Sequence, residues 1–190
     1  MVKHFNKGVL RGRILDLADR KTHSKNKKPY GDFKVFCSSG EYGDITVRAR
    51  FWGSQFTDFK KAYRELPDTQ FHLEGHVGLL EHRGEQLWCF NAYKYRPWVP
   101  SGEDQARASF ILMGECVVNF ETFELHHVRE HPTYPVDHLF KFPAPQIESD
   151  ATPPDIVTVY GHFVDPDRKF GGMGDVEPMI EKVTIKERRS

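Results

Sequence analysis

Residues 30–52, YGDFKVFCSSGEYGDITVRARFW, decide the fold. In the second part of this stretch Ile45, Val47, Ala49 and Phe51 alternate with Thr46, Arg48, Arg50 and Trp52. Period two is the strand period, so the segment reads as a strand with one apolar face and one face carrying two arginines and a tryptophan. In the first part Phe33, Val35 and Cys37 alternate with Lys34 and Phe36. A glycine-containing turn joins the two strands as a hairpin. If they pair in phase, Lys34 and Phe36 share the face of Arg48, Arg50 and Trp52. Arginine suits phosphate and flat rings stack on bases, so such a face suits a strand of nucleic acid. A solvated sheet face with an exposed tryptophan is the other reading of the same residues.

Working outward, residues 5–17 (FNKGVLRGRILDL) read as a first strand in which Gly8 and Gly12 mark a bulge or sharp bend. Residues 18–31 (ADRKTHSKNKKPYG) are a basic loop with Arg20, Lys21, Lys25, Lys27 and Lys28. On the other side, Phe56, Phe59, Tyr63 and Leu66 recur at spacings of three and four, which predicts a helix over 54–66 ended by Pro67. Its expected role is to plug the open end of a barrel. In 68–77 Phe71, Leu73, Gly75 and Val77 alternate with Gln70, His72, Glu74 and His76. A turn around His82–Gly84 leads to QLWCFNAYKYRPW, a strand apolar on both faces. Trp88, Phe90, Tyr93, Tyr95 and Trp98 divide between core and a stacking platform.

The order strand, basic loop, strand, strand, helix, strand, strand is that of an OB-fold, a five-stranded Greek-key barrel. The run VLRGRILDL, basic loop, FKVFC, ITVRARFW, helix, FHLEGHVGLL and LWCFNAYKYRPW resembles the bacterial and phage single-stranded DNA-binding proteins over residues 5–98. HLEGHVGLLEHRGEQLWCF matches the last hairpin of that family. The resemblance implies that a single strand is held across the second and third strands and the flanking loops. On this chain that means Lys34, Phe36, Arg48, Arg50, Trp52 and the basic loop, with Trp88 as a further stacking ring. The family's bacterial members end in an acidic tail with a hydrophobic tip, whereas this sequence ends KVTIKERRS.

The net charge of zero conceals a division. Residues 1–66 hold 15 Lys+Arg against 7 Asp+Glu, and the remainder holds 12 against 20. A basic first third favours a polyanionic partner there. Cys37, Cys89 and Cys116 are odd in number and widely spaced, as free thiols of a reducing cytoplasm are. No apolar run has the length of a membrane span, and MVKHFNKG has no signal-peptide core.

After a linker at 99–107, residues 108–190 form a second module. ASFILMGECVVNFETFEL resembles the first strand, with Gly114 in the middle. DIVTVYGHFV repeats the outline of DTQFHLEGHVG, and PMIEKVTIKERR parallels the last strand. The expectation is a second, degenerate OB-like or β-rich half whose middle is replaced by a His- and Pro-rich insertion at 121–154. The prolines of 132–154 predict an extended arm or covering loop. Extension of the first sheet and a dimer interface are the alternatives for these strands.

Enzymatic chemistry is not expected. HVREH at 127–131 fits the inverted zinc-protease pattern, which needs a helix, but Pro132 follows at once and no helical period surrounds it. GGMG at 171–174 lacks the lysine and helix of a phosphate-binding loop. The fold expected is therefore all-β with a short helix. The function expected is sequence-tolerant binding of single-stranded DNA, with RNA possible, by a cytoplasmic homo-oligomer, first of all a dimer, with no cofactor and no metal. An OB scaffold for protein–protein docking, using its acidic second half, is the competing reading.

Overall fold

The computed structural model describes residues 4–17, 21–22, 28–39, 43–82, 85–101, 108–118, 123–129, 136–142, 150–165 and 176–188. Arg20, Lys25, Lys27, linker positions 102–107 and the GGMG segment lie outside the described residues. The described residues form eleven strands and one helix. In chain order these are β1 Phe5–Leu17, β2 Lys21–Thr22, β3 Pro29–Ser39, β4 Gly43–Trp52, α1 Ser54–Glu65, β5 Gln70–His82, β6 Glu85–Trp98, β7 Ala108–Val118, β8 Phe123–Arg129, β9 Val136–Phe142, β10 Ile156–Val164 and β11 Glu177–Glu187. None of these is a helix long and apolar enough to cross a membrane. The chain divides into two units. The first is Gly8–Ala108 with Phe163–Glu177, and the second is Met1–Lys7, Ser109–His162 and Pro178–Ser190.

In the first unit β1 pairs antiparallel with both β3 and β5. β3 pairs with β4, β5 pairs with β6, and a short parallel pairing of β4 with β6 closes the ring. Five strands in the cyclic order β1-β3-β4-β6-β5 make the Greek-key barrel of the OB-fold. β1 can serve both neighbours because it is bent. Its register with β3 shifts between Ile14 and Asp16, and Gly12 lies where a Cβ would overlap the Phe36 carbonyl. A side chain at position 12 would push β3 off β1.

The alternation read in 30–52 places Phe33, Val35, Cys37, Ile45, Val47, Ala49 and Phe51 in the core. α1 then caps this core. Gly53, with φ 64, turns the chain into the helix, and its N–H donates to the Pro29 carbonyl at 2.8 Å. Phe56 and Phe59 are buried, and the Phe59 ring centroid lies 4.8–5.3 Å from those of Phe33, Phe51, Phe71 and Tyr95. Leu66 departs from the predicted apolar stripe. It is the C-cap, at φ −134, so its side chain leaves the helical face and is exposed.

The double-sided apolar character of 86–98 also has a structural cause. The β5–β6 register shifts between Glu74 and Gly75, where Ala92 pairs with Gly75 and Lys94 with Glu74. Tyr93 is the extra residue, so the inward parity changes across it. Phe90 and Ala92 point inward before the bulge, and Tyr95 meets the core rings after it.

The second unit repeats these relations. β7 pairs antiparallel with β8 and β10, as β1 does with β3 and β5. β8 pairs with β9 as β3 does with β4. Gly114 lies against the His126 carbonyl as Gly12 lies against that of Phe36. Gly161 on β10 meets the Met179 carbonyl of β11 as Gly75 on β5 meets that of Asn91 on β6. The unit is OB-like. The reading of 121–154 as a replaced middle is corrected here, since the span contains β8 and β9, while Pro132, Pro135, Pro143 and Pro145 of the expected arm lie outside the described residues. β8 and β9 pair as a hairpin with Phe123, Leu125, Phe140 and Phe142 buried. HVREH begins in this hairpin: His127 is buried in a strand, with Nδ1 3.0 Å from the Met113 carbonyl oxygen, not on the helix a zinc-protease pattern requires.

All three cysteines are free and buried. Burial pushes the Cys37 and Cys89 thiols up to about 12, and burial with the nearby Asp155 carboxylate pushes Cys116 up to about 11. A thiol raised in the folded state stabilises the fold below the unfolded thiol value of about 8.5. That contribution falls away as pH rises from there through the folded values. Alkylation at pH 8 is therefore expected only at the rate of unfolding, and stability is expected to decline between pH 9 and pH 12. Time-resolved thiol labelling checks the first, and urea melts across that range check the second. Rapid labelling of native protein at pH 8 would contradict the burial.

Candidate nucleic-acid interface

The β3–β4 register sets the outward face of the first unit. Tyr30 lies opposite Trp52, Asp32 opposite Arg50, Lys34 opposite Arg48 and Phe36 opposite Thr46. Their odd-numbered neighbours from 33 to 51 are core, so strand alternation leaves these eight on one surface. β1 contributes Arg13, paired with Phe36, its guanidinium carbon 6.0 Å from the ring centroid. β2 contributes Lys21, and β6 contributes Asn91, in register with Arg50.

The two arginines of β4 do different things. Arg50 is only 8% exposed. Its Nε donates to Asp32 Oδ1 at 2.7 Å and an Nη donates to Oδ2 at 3.3 Å, a bidentate pair. Its guanidinium carbon lies 4.0 Å from the Tyr30 ring centroid and 5.2 Å from that of Trp52. Trp52 is held in turn, since Nε1 donates to Asn91 Oδ1 at 3.2 Å and the Tyr30 ring lies 5.2 Å away. Arg50 thus fixes the two rings and does not present an uncompensated charge. Arg48 is half-buried and forms no ion pair among the described residues. Lys34 Nζ is 3.6 Å from the exposed Asp16 carboxylate, and Lys21 Nζ is 3.7 Å from Asp32. Both are surface pairs that an incoming phosphate can compete for.

Lys34, Phe36, Arg48, Arg50 and Trp52 are therefore brought together, and Lys21 borders them. Lys28 is exposed at the start of β3. Trp88 is not part of this face. It shares the parity of Phe90, which pairs with the core residue Ala49, and it packs edge-on against Phe163 at 6.1 Å. Arg20, Lys25 and Lys27 are not described. Tyr30, Asp32, Arg13 and Asn91 were not singled out from the sequence. Tyr30 and Asp32 continue the even-numbered alternation of β3, which was the available signal. Arg13 and Asn91 come from strands whose pairing with the hairpin no local pattern reports.

Tyr30, Trp52 and Phe36 on one face, with Arg13, Lys34 and Arg48, can stack bases and neutralise phosphates together. The architecture has close counterparts among solved structures. The chain is similar over 100% of its length to a deletion mutant of the single-stranded DNA-binding protein from Thermus aquaticus, with TM-score 0.62, 14% identity and 98% of that chain covered. The wild-type protein from the same organism matches with TM-score 0.59, 13% identity and 96% covered. The likeness is one of fold. No protein-family model matches the sequence, and no curated protein matches it either.

Proposed function

We propose that this protein binds single-stranded nucleic acid, DNA in preference to RNA, with little regard to sequence. The observation that carries this is the β3–β4 face, where rings and cations alternate on one surface. Bases stack on Trp52, Tyr30 and Phe36. Arg48, Lys34, Arg13 and the basic segment around Lys21 and Lys28 meet phosphates. Stacking on rings and contacts to phosphates carry no base identity, which is why sequence tolerance is expected. We place the protein in replication, recombination or repair of a bacterium, phage or mobile element, acting in the cytoplasm as a homo-oligomer such as a dimer.

The test is titration with single- and double-stranded DNA and RNA of equal length, read by tryptophan quenching. Single strands are expected to bind more tightly than duplex. Affinity should fall with salt at a log–log slope of about 0.7 per phosphate neutralised. Trp52→Ala should weaken oligo-dT binding by about 1–3 kcal/mol. Failure to bind oligo-dT even at low salt would remove the proposal, and an unchanged affinity for Trp52→Ala would remove that ring as a platform.

A further inference from the structure

The rings of the β3–β4 face do not end at Trp52. β4 pairs parallel with β6, with Phe51 opposite Ala92, so Trp52 and Tyr93 are the next residues on their strands. β6 pairs in turn with β5, with Asn91 opposite His76. Counted from Asn91, strand alternation turns Tyr93 outward, and the bulge at Tyr93 lets Tyr95 return to the core. Tyr93 is 37% exposed. Its ring centroid lies 4.9 Å from that of His76, at an interplanar angle of 44°. Gln55 Nε2, from the first turn of α1, donates to the Tyr93 carbonyl at 2.8 Å and ties the bulge to the helix.

Asn91 joins this ring pair to the one formed by Tyr30 and Trp52. Its Oδ1 accepts from Trp52 Nε1 at 3.2 Å, and its strand position is opposite His76. A Cβ at Gly78 would lie 2.6 Å from Asn91 Nδ2, so the glycine leaves room for the amide that holds Trp52. The four rings come from β3, β4, β6 and β5, which are consecutive neighbours around the barrel. Three inter-strand gaps of about 4.8 Å give this row a span of about 14 Å. Successive bases of one strand can stack along such a row.

We infer that Tyr93, backed by His76, is a second base-stacking platform, and that the bound strand crosses β3, β4, β6 and β5 instead of stopping at the β3–β4 hairpin. The inference rests on the function proposed above and adds the path of the strand. Two observations carry it: the Tyr93 ring is open on the outward face with a second ring beside it, and Asn91 makes that surface continuous with Trp52. A tyrosine ring contributes stacking and not counterion release, which separates its effect from that of the cations.

Substitutions in the full chain test it. Oligo-dT affinity and its salt slope are measured for the unsubstituted protein, for Tyr93→Ala, Tyr93→Leu and Tyr93→Phe, and for Trp52→Ala alone and combined with Tyr93→Ala. Tyr93→Ala is expected to weaken binding about 5-fold or more, as loss of a stacked base does, with an unchanged slope. Tyr93→Phe, which keeps the ring, should rescue that loss. Tyr93→Leu, which keeps apolar bulk without a ring, should not. On the Trp52→Ala background, Tyr93→Ala should still weaken binding about 3-fold or more, because the two platforms hold different bases. A smaller loss for Tyr93→Ala, full rescue by leucine, or a loss that vanishes once Trp52 is gone would overturn the second platform. The last of these would make Tyr93 a support for Trp52. All three leave binding on the β3–β4 face standing. Absence of binding by the unsubstituted protein at low salt would overturn both.

Discussion

Replacing Phe59 by alanine is expected to lower the stability of the first unit by about 4 kcal/mol. Phe59 has no exposed surface. Its ring meets Phe33 of β3, Phe51 of β4, Phe71 of β5 and Tyr95 of β6, so one helical side chain touches four strands of the barrel. The loss combines the transfer free energy of a phenyl ring with a cavity. The surrounding rings cannot collapse into it without moving strands tied by ladder hydrogen bonds. Urea unfolding followed by tryptophan emission measures the change. Tyr63→Ala, on the same helix but half-exposed and stacked on Phe59 at 6.5 Å, should cost less than half as much. A Phe59→Ala loss below about 1.5 kcal/mol would mean that the helix lies on the barrel without plugging it.

The second large effect is expected at Asp32. Asp32→Ala leaves the Arg50 guanidinium almost buried with its bidentate partner gone, which costs about 3 kcal/mol. The substitution also removes a carboxylate from the candidate interface and releases Lys21 from its 3.7 Å pair. Stability should fall while affinity for oligo-dT, measured below the new melting temperature, stays level or rises. The double variant Asp32→Leu with Arg50→Met should recover most of the stability, because both members of the pair are then replaced by apolar groups. It should bind oligo-dT more weakly than the unsubstituted protein, since Tyr30 and Trp52 lose the guanidinium packed against them. A stability loss under about 1 kcal/mol for Asp32→Ala would reduce the pair to an ordinary surface bridge.

These expectations show why the site was only partly legible in the sequence. Arg48 and Arg50 are indistinguishable in an alternating strand. One is a half-buried cation with no ion pair among the described residues and the other is clamped by Asp32, a difference that depends on the β3–β4 register. Trp52 and Trp88 were both eligible as stacking rings. The parallel pairing of β4 with β6 puts Trp88 on the other face, and the bulge at Tyr93 hides that parity in a run of apolar residues. In the second unit, prolines and histidines masked the alternation of Phe123, Leu125, Phe140 and Phe142, so the hairpin is hidden in a segment that reads as an insertion.

The sequence by itself determined the strand faces of residues 30–52, the helix that follows, and the repetition of glycine-marked strands, because period and spacing are local properties of a chain. The tertiary structure decided which polar residues the face brings together. Arg13 and Asn91 reach it from strands distant in sequence, Asp32 takes Arg50 as its partner, and Trp88 is turned away. It also decided that the two units repeat one pairing scheme, β1 with β3 and β5, and β7 with β8 and β10. That comparison needs the carbonyls that Gly12 and Gly114 allow to approach, and such contacts arise only when the barrels close.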